Sequence, residues 1–329
     1  MRKLASIQKI SALEPIEGAD AILKATVLGW QLVVKKDEFQ VGDLCVYCEV
    51  DCMMPDRPEF EFLRPRGMRI RTIRLRGQIS QGICLPISIL PTGFEVVEDA
   101  ECTEALGIRQ YEPPALPAAL SGKARGLFPS FIPKTDETRV QILQDLLTRH
   151  KGKRCYVAEK LDGSSATFFI KDGAFGVCSR NLELLEDETN AFWEAARALD
   201  IENKLRALGG NFAIQGELVG EGIQGNKLKL KGRTVFFFNI FDIDKYQHLL
   251  YEDFKSKIAA MGLQAVPILD ENYELEDSIP ALIQKATIKS AFNPAVWAEG
   301  IVIRLVEHPQ NHQVSFKAIS PEFLLKFGE

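Results

Sequence analysis

The residues most suited to chemistry lie at positions 159–163, where the sequence reads Glu-Lys-Leu-Asp-Gly. A lysine amine can attack a nucleotide phosphate and hold it covalently, provided that it has lost its proton. Because a free lysine titrates at ~10.4, we expect the pKa of Lys160 to be lowered by partial burial and by a second cation, Lys317. Lys160 is therefore a candidate nucleophile for nucleotidyl transfer.

Further short motifs follow Lys160 in order along the chain. Lys160, Asp162 and Gly163 alone would recur by chance in roughly one chain of this length in fifteen. The stronger evidence is that several further motifs follow them in one order. The later motifs are Ser-Arg-Asn at 179–181, Gly-Glu-Leu at 216–218, Phe-Phe-Phe-Asn-Ile at 236–240, Glu-Gly-Ile-Val-Ile-Arg at 299–304 and Ser-Phe-Lys at 315–317. Together with the lysine motif they strongly support nucleotidyl transfer.

Carboxylates in these motifs could hold a divalent cation. We expect Asp162, Glu217 and Glu299 around Mg²⁺ or Mn²⁺, directly or through its water shell, because magnesium keeps several of its waters. Positive charge there would neutralise the charge that develops when pyrophosphate leaves. The alternative is that each carboxylate only forms an ion pair with a nearby lysine or arginine.

Aromatic and basic residues could bind the nucleotide. Phe236 and Phe238 fall on one face of a predicted strand and Phe237 on the other, so one face could stack on adenine while the other packs in the core. Core packing is the alternative for each phenylalanine. Arg180 could contact the ribose or a phosphate, and an exposed arginine without such a contact is the alternative.

Two basic stretches stand out in a chain whose formal net charge is −5 at pH 7. Lys227 and Lys229 belong to one of them, near Gly225. The other, here called the arginine stretch, contains no carboxylate, so we expect it to contact nucleic-acid phosphates that neutralise it. For both, a solvated strand face is the alternative. The members of the arginine stretch are Arg64, Arg66, Arg69, Arg71, Arg74 and Arg76.

Two patterns suggest sites that we reject. Cys45, Cys48 and Cys52 are spaced like metal ligands, but strand composition places Cys45 and Cys48 on opposite faces, so buried thiols are expected. The glycines at 220, 222 and 225 spell a dinucleotide-binding fingerprint. The residues that follow predict no helix whose N-terminus could bind a pyrophosphate.

The elements that must position these residues divide at about residue 120. Short apolar segments separated by Gly, Pro and Asp predict an all-β barrel over 1–110, followed by a Pro-rich linker at 111–127. Helices are predicted from a cap at Thr135 or Asp136 through Leu147, and from 188 to 208. Strands are predicted at 155–157, 165–170, 174–178, 212–219, 234–243, 299–306 and 312–318. The predicted fold class is α+β, with mostly antiparallel sheets flanked by helices after the barrel.

The motifs resemble the covalent nucleotidyltransferases, which comprise RNA ligases, DNA ligases and messenger-RNA capping enzymes. Glu159–Gly163 looks like the nucleophile motif of that family, and Ser179–Asn181 looks like the second element of its RNA-ligase branch. The front of the chain, with Gly-Trp-Gln-Leu-Val-Val and Ile-Ser-Gln-Gly-Ile, resembles the OB-fold of RNA-repair ligases that carry this module N-terminally. The resemblance implies an OB-fold at 1–110 and a nucleotidyltransferase domain at 128–329.

The resemblance further implies ATP-dependent sealing of RNA. Lys160 would become adenylylated, AMP would pass to an RNA 5′-phosphate, and a 3′-hydroxyl would displace AMP. Glu159 and one phenylalanine ring would contact adenine, while Arg180 and Glu217 would contact the sugar and phosphate. The residues implied to act are Lys160, Asp162, Glu217, Glu299 and Lys317 in catalysis, and Glu159, Gly163, Arg180, Phe236, Phe238 and Lys326 in nucleotide binding.

Two departures from the family pattern matter. Many relatives have Lys-x-Lys in the last motif, whereas Ser315 occupies the place of the first lysine, so a phosphate contact is left to Lys326. The chain also ends at Glu329, which is expected to leave no room for the C-terminal OB module of DNA ligases and capping enzymes.

The resemblance implies RNA as the partner, as a nicked duplex with an RNA 3′-hydroxyl strand, bound by a monomer. No stretch resembles a membrane span or a secretory signal, and seven scattered cysteines favour reduced thiols, so an intracellular, cytoplasmic location is expected. Three alternatives stay open: a DNA ligase, a GTP-dependent capping guanylyltransferase, and a non-catalytic RNA-binding protein.

Overall fold

The computed structural model describes residues 3–112, 122–309 and 312–328. The strands in these ranges are β1 Ala5–Ile16, β2 Ala19–Val27, β3 Trp30–Lys35, β4 Leu44–Cys48, β5 Cys52–Met53, β6 Ile73–Leu75, β7 Gln78–Ser80, β8 Ile83–Leu85, β9 Arg109–Gln110, β10 Ala124–Leu127, β11 Thr138–Arg139, β12 Arg154–Lys160, β13 Ser164–Lys171, β14 Ala174–Cys178, β15 Leu182–Leu184, β16 Phe212–Gly220, β17 Arg233–Asp242, β18 Gln247–His248, β19 Ile268–Glu274, β20 Gly300–Leu305 and β21 Ser315–Ile319. The α-helices are α1 Gln144–His150, α2 Ala191–Ala198, α3 Ile201–Leu208, α4 Tyr251–Ala260, α5 Ile279–Ala286 and α6 Pro321–Phe327. Short 3-10 helices lie at Pro58–Arg66, Ile87–Ile89, Val140–Ile142 and Gln224–Asn226.

Contacts divide the described residues into two compact units. The first unit contains 3–112, 140–144 and 321–328, and the second contains 122–139, 145–309 and 312–320. The predicted linker at 111–127 lies largely outside the described residues. The predicted domain boundaries therefore stay a prediction.

The first unit is built on an antiparallel sheet with the strand order β3-β2-β1-β4-β8. Burial alternates along β3, so one face of the strand packs inward. Trp30 and Tyr47 lie in the apolar cluster on one side of the sheet, and Ile7 and Phe60 lie in the cluster on the other. The N–H of Gln81 donates to the carbonyl of Gln31 of β3 at 2.8 Å, so the sheet curls toward its own edge.

The second unit contains two sheets. One has the strand order β10-β15-β14-β13-β16-β17-β18, and the other has the order β11-β21-β20-β12-β19. Only the β11–β21 pair is parallel among the described strand pairs. Ala158 of β12 and Phe236 of β17 share an apolar cluster with Leu161 and Val266. Both sheets therefore contribute to the packing around the end of β12.

The strands predicted beyond residue 150 are confirmed close to their predicted bounds, but both helices need correction. Residues 138–139 pair with β21, so the first helix begins only at Gln144, after a 3-10 turn. The second splits into α2 and α3, because Asp200 adopts a left-handed conformation with φ of 52°.

The two rejected patterns have structural roles. Cys45 and Cys48 are buried in the clusters on opposite sides of the β1–β4 sheet, as strand alternation predicts. The glycine pattern leads into a 3-10 turn and an irregular loop before β17, so no long helix follows it. Within the described ranges, every helix is too short or too polar to span a membrane.

Candidate active site

Lys160 lies at the end of β12 in the second unit, in register with Gly300 of β20. A β-carbon at Gly300 would lie 2.1 Å from the carbonyl oxygen of Ala318. At Gly163, a β-carbon would lie 2.4 Å from the carbonyl oxygen of Leu218. No side chain tolerates such distances, so the two glycines let neighbouring strands approach one another beside Lys160.

An open cavity of about 460 Å³ lies beside this lysine. Part of this volume is open to solvent, so a ligand can enter the cavity from outside. Three further predicted site residues, Glu159, Glu217 and Phe238, line it. The complete lining is Thr135, Glu137, Ala158, Glu159, Lys160, Leu161, Glu217, Phe238, Val266, Val302 and Arg304.

Two ion pairs are formed by the predicted catalytic residues. The Nζ atom of Lys160 lies 2.6 Å from Oε2 of Glu299. The Nζ atom of Lys227 lies 3.0 Å from Oδ2 of Asp162. The ion-pair alternative for Asp162 and Glu299 is therefore realised in this structure. Lys227, which the sequence assigns to nucleic acid, thus pairs with a predicted catalytic carboxylate, and its contact with nucleic acid stays a prediction.

The expected lowering of the Lys160 pKa is wrong for this structure. Burial is the largest influence and does disfavour the ammonium form, but the charges of Glu299, Glu217 and Asp162 together outweigh it. The pKa of Lys160 is therefore raised above its ordinary value.

Glu217 is buried close to the other predicted metal ligands, Glu299 and Asp162. Burial raises the pKa of Glu217 to about 8, with help from Glu299 and Asp162, while Lys160 and a backbone hydrogen bond from Gly163 oppose the shift. Throughout the described residues, no group of three or more His, Cys, Asp or Glu side chains is arranged to hold a metal ion directly. For the predicted metal ligands, contact through water stays a prediction.

Glu159 offers an unused hydrogen-bond acceptor. The residue is 1% exposed, and its Oε2 atom accepts a hydrogen bond from the N–H of Ala291 at 2.8 Å. Its Oε1 atom is buried and has no hydrogen-bond partner of standard geometry among the described residues, although the Ser290 side chain lies close enough to oppose the rise that burial causes in the pKa of Glu159. Because such a group is costly to leave unpaired, a ligand that donates a hydrogen bond to Oε1 would be favoured.

The predicted alternation of the phenylalanines is confirmed. The rings of Phe237 and Phe168 lie 6.2 Å apart in one core cluster, whereas Phe236 and Phe238 belong to the cluster on the other side. Phe236 is 7% exposed and packs 4.5 Å from the ring of Phe292. Only Phe238 of the pair lines the cavity in the described structure, so it is the ring accessible to a base.

Arg304 and Glu137 line the cavity, and neither was predicted from the sequence. The guanidinium of Arg304 lies 5.5 Å from the Phe238 ring centre and 3.0 Å from Oε1 of Glu137. The hydroxyl of Ser315 donates to the same oxygen at 2.7 Å. Arg304 is two residues after Val302 on β20, so strand alternation could have placed it on the cavity face. No comparable signal in the sequence identifies Glu137.

Three predicted nucleotide or phosphate contacts are not among the residues that line the cavity. Arg180 is exposed and pairs with Asp136 at 2.7 Å. Lys317 lies opposite Val302 on β21 and shares its sheet face. Lys326 is exposed on α6 in the first unit. Their contacts with a nucleotide stay predictions.

The charge argument for the arginine stretch is wrong for three of its members. Carboxylates outside the stretch supply neutralising charge that the sequence predicts to come from phosphates. The pairs, at distances between 2.6 and 2.9 Å, are Arg64 with Asp56 and Glu61, Arg69 with Asp51, and Arg74 with Glu322.

Most members of the two basic stretches lie outside strands. Arg66 ends a 3-10 helix, and Arg76 follows β6 in a turn with φ of 48°, so the arginines do not alternate along one strand. Lys227 and Lys229 lie in the loop before β17. Arg66 and Arg76 are exposed, and their contact with RNA stays a prediction.

Two family models match the chain. A model described as an OB-fold domain matches residues 4–87, and a model described as RNA ligase matches residues 153–319. A comparison with curated proteins gave no match.

Solved structures of an RNA ligase from Naegleria gruberi are similar over nearly the whole chain. A Lys-to-Ala mutant of that ligase with ATP and Mn has 40% identity and a TM-score of 0.92, with 98% of each chain covered. The ligase with PPi has 41% identity and a TM-score of 0.90, with 98% of each chain covered. A Glu-to-Ala mutant with AMP and Mn has 41% identity, a TM-score of 0.91 and the same coverage.

These matches confirm the predicted fold class, with an OB-fold at the front and a mixed sheet-and-helix part behind it. They also agree with the site, where a lysine and carboxylates from distant motifs meet beside a cavity. The chain belongs to the RNA ligase family.

Proposed function

We propose that this protein is an ATP-dependent RNA ligase that seals nicks in duplexes through a lysyl-AMP intermediate. The observation that carries the proposal is Lys160 at the cavity, with Glu299 at 2.6 Å and with Glu217 and Asp162 close enough to shift its pKa. The similar Naegleria ligase has been solved with ATP and Mn, with AMP and Mn, and with PPi.

The reaction proceeds in three displacements at phosphorus. First, the Lys160 amine attacks the α-phosphorus of ATP; an N–P bond forms, the P–O bond to pyrophosphate breaks, and the amine loses a proton. Second, an oxygen of an RNA 5′-phosphate attacks the lysyl-AMP phosphorus, and Lys160 recovers the electron pair of the N–P bond. Third, an RNA 3′-hydroxyl loses its proton, attacks the 5′-phosphorus and releases AMP.

The carboxylates control when Lys160 can attack. Without ligands the raised pKa keeps the lysine protonated at neutral pH, and an ammonium group cannot act as a nucleophile. Glu299 holds Nζ at 2.6 Å and thereby fixes its direction at the cavity. The site is thus pre-organised but inactive until its negative charge is offset.

A divalent cation fits the charge of this site. Glu299 and Asp162 add to the effect of burial on the pKa of Glu217, so the three carboxylates lie close enough together to attract a cation. Asp162, Glu217 and Glu299 would hold Mg²⁺ or Mn²⁺ through water. When bound, the cation supplies positive charge that offsets these carboxylates and the charge of the phosphates.

Glu159 and Phe238 would select adenine. The buried Oε1 atom of Glu159 can accept a hydrogen bond from the exocyclic amine of adenine, whereas guanine presents a carbonyl at the corresponding position. Phe238 would stack on the base, with the Arg304 guanidinium near its ring. Gly163, Arg180, Lys317 and Lys326 complete the proposed nucleotide contacts.

RNA binding is assigned to the first unit. Its OB-fold carries exposed Arg66 and Arg76, which can contact phosphates. We propose a monomer that acts on a duplex whose 3′-hydroxyl strand is RNA. The free thiols of the cysteines suit a reducing compartment, so we place the enzyme in the cytoplasm.

The test is to incubate the pure protein with α-labelled ATP or GTP and Mg²⁺ or Mn²⁺, and to look for retained label by denaturing gel and intact mass. We expect an AMP adduct from ATP that is absent in Lys160→Ala. Intact mass before incubation shows whether the purified protein already carries AMP. The adenylylated protein should then seal a nicked duplex with an RNA 3′-hydroxyl strand faster than its all-DNA counterpart.

The alternatives give different results in the same experiment. An adduct from GTP alone would indicate a capping guanylyltransferase, and preferred sealing of an all-DNA nick would indicate a DNA ligase. No adduct, from protein that was not already adenylylated, would favour a non-catalytic RNA-binding protein and would refute the proposal.

A further inference from the structure

Lys227 enters the active site from a loop that has no assigned role in the chemistry. It lies between β16 and β17, and its Nζ atom is 3.0 Å from Oδ2 of Asp162. The side chains of Lys227 and Asp162 are only 16% and 14% exposed. A lysine that reaches nucleic acid from the surface would be more exposed. The loop therefore brings a second cation into the site built around Lys160.

The loop that carries Lys227 is closed at its base. A β-carbon at Gly220 would lie 2.0 Å from the carbonyl oxygen of Gly232, and the N–H of Glu221 donates to that same oxygen at 2.9 Å. Inside the loop, Asn226 donates to the carbonyl of Leu230 at 2.8 Å and accepts from its N–H at 3.0 Å. The glycine pattern that imitates a dinucleotide fingerprint thus begins a tightly bridged loop.

Both neighbours of Lys227 are anchored. Asn226 is held by its two bonds to Leu230. Leu228 is 4% exposed and packs in the cluster that contains Ala158 and Leu161. The carbonyl of Leu228 also accepts a hydrogen bond from Asn293 at 3.2 Å. Because residues on each side are fixed, the loop presents the Lys227 ammonium in a defined direction.

The charges around Lys160 explain why a second cation is needed. Asp162 acts electrostatically on both Lys160 and Glu217, as does Glu299. Lys160 is held by Glu299 at 2.6 Å. If the Lys227 ammonium were removed, the Asp162 carboxylate would be attracted to Lys160 and would compete with Glu299 for it.

We propose that Lys227 is a positioning residue for adenylyl transfer: it holds the Asp162 carboxylate apart, so that Lys160 stays oriented by Glu299. This inference rests on the proposed function, because it concerns the same first step. It gives Lys227 a role in nucleotide chemistry in place of the sequence-based role in nucleic-acid binding.

The first test removes the charge and keeps the side-chain stem. Lys227→Met should slow the single-turnover formation of lysyl-AMP by about 10- to 100-fold, with little change in its dependence on ATP concentration. Lys227→Arg should restore most of the rate, since it keeps a cation. Lys231→Met, an exposed position in the same loop, is the matched control and should react like the wild type.

The decisive test combines Lys227→Met with Asp162→Asn. If Lys227 acts through Asp162, the double variant will be no slower than Asp162→Asn alone, because the second change removes an interaction that is already lost. Losses that multiply would overturn the proposal and indicate that Lys227 contacts the ATP phosphates itself. Normal adduct formation in Lys227→Met would also overturn it, whether or not RNA sealing is impaired.

The folded state and the proposed function are controlled separately. Thermal melting shows whether each variant is folded, and Lys227→Gln replaces Lys227→Met as the charge-free variant if the latter melts early. An absence of adduct in wild-type protein free of bound AMP would count against the proposed function. A reactive wild type with an equally reactive, folded Lys227→Gln would count against the inference alone.

Discussion

In two regions, the cavity around Lys160 and the arginine stretch of the first unit, the balance of charge in the structure differs from the balance that the sequence indicates. Around Lys160, the carboxylates of Asp162, Glu217 and Glu299 come from distant motifs and raise the pKa of the lysine. In the arginine stretch, carboxylates from outside the stretch neutralise part of a positive run. The segment that looks most charged in the sequence is therefore partly compensated, and Lys160, the proposed nucleophile, lies among carboxylates.

The difference shows that the charge of a site depends on which side chains are close in three dimensions, whatever their separation along the chain. The cavity needs added positive charge before Lys160 can lose its proton, which fits a reaction that uses a divalent cation and a lysine nucleophile. The arginine stretch depends less on a bound anion than its sequence indicates, because half of its members already have carboxylate partners. The following changes test each side of this comparison, from the largest expected effect to the smallest.

Lys160→Ala removes the nucleophile and should abolish the AMP adduct completely, because no other group can form the N–P bond at that position. Intact mass and peptide mapping after incubation with ATP measure this. Lys151→Ala, an exposed lysine paired with Asp277, is the control. An adduct that survives on another lysine would contradict the assignment of the nucleophile.

Glu299→Gln removes the carboxylate 2.6 Å from Lys160 and should slow adduct formation by about 10- to 100-fold. A carboxylate raises the pKa of a neighbouring lysine, so its loss should lower the pKa of Lys160. Below that pKa the reactive fraction rises about tenfold per pH unit, and the variant's rate should therefore level off at a lower pH. A pH–rate profile that keeps the wild-type shape would show that Glu299 does not raise the pKa of Lys160.

Arg69→Gln should affect folding and leave the chemistry intact. The Arg69 side chain is 9% exposed, pairs with Asp51 at 2.7 Å and lies 3.6 Å from the ring centre of Tyr111. Removing the Arg69 charge from this largely buried ion pair should lower the free energy of unfolding by about 3 kcal/mol. Denaturant unfolding measures the loss. An unchanged stability with weakened RNA binding would restore Arg69 as an RNA contact.

Glu217→Gln should change how stability depends on pH. Burial raises the folded-state pKa of Glu217 to about 8, above its ordinary value, so the folded protein binds a proton that the unfolded chain releases at lower pH. The resulting stability is present below pH ~4.3 and is lost as pH rises toward about 8. Thermal unfolding at a series of pH values should show this loss in the wild type and a flatter profile in Glu217→Gln.

Arg66→Gln combined with Arg76→Gln should give the smallest effect. Both side chains are exposed, so their loss should weaken RNA binding modestly and reduce the slope of log affinity against log salt by about 2. Adduct formation should stay at the wild-type rate. Loss of adduct in a folded double variant would show that the two units do not divide binding and chemistry as we propose.

The strands could be predicted from sequence because the alternation of side chains along a strand is a local property. Strand alternation placed Phe236 and Phe238 on one side and Phe237 in the core. It also separated Cys45 from Cys48. The helix predictions were less accurate, because pairing of residues 138–139 with β21 overrode the helical pattern, and because the left-handed Asp200 interrupts the second helix.

The order of motifs, with Lys160 followed by carboxylates and a run of phenylalanines, determined the family and the reaction that we propose. The tertiary structure decided how those residues are charged. It placed Glu299 against Lys160, Lys227 against Asp162, and Arg304 beside Phe238. These partners are separated by tens of residues or more in the chain, and pKa values depend on charges within a few ångströms, so no pattern along the sequence could supply them.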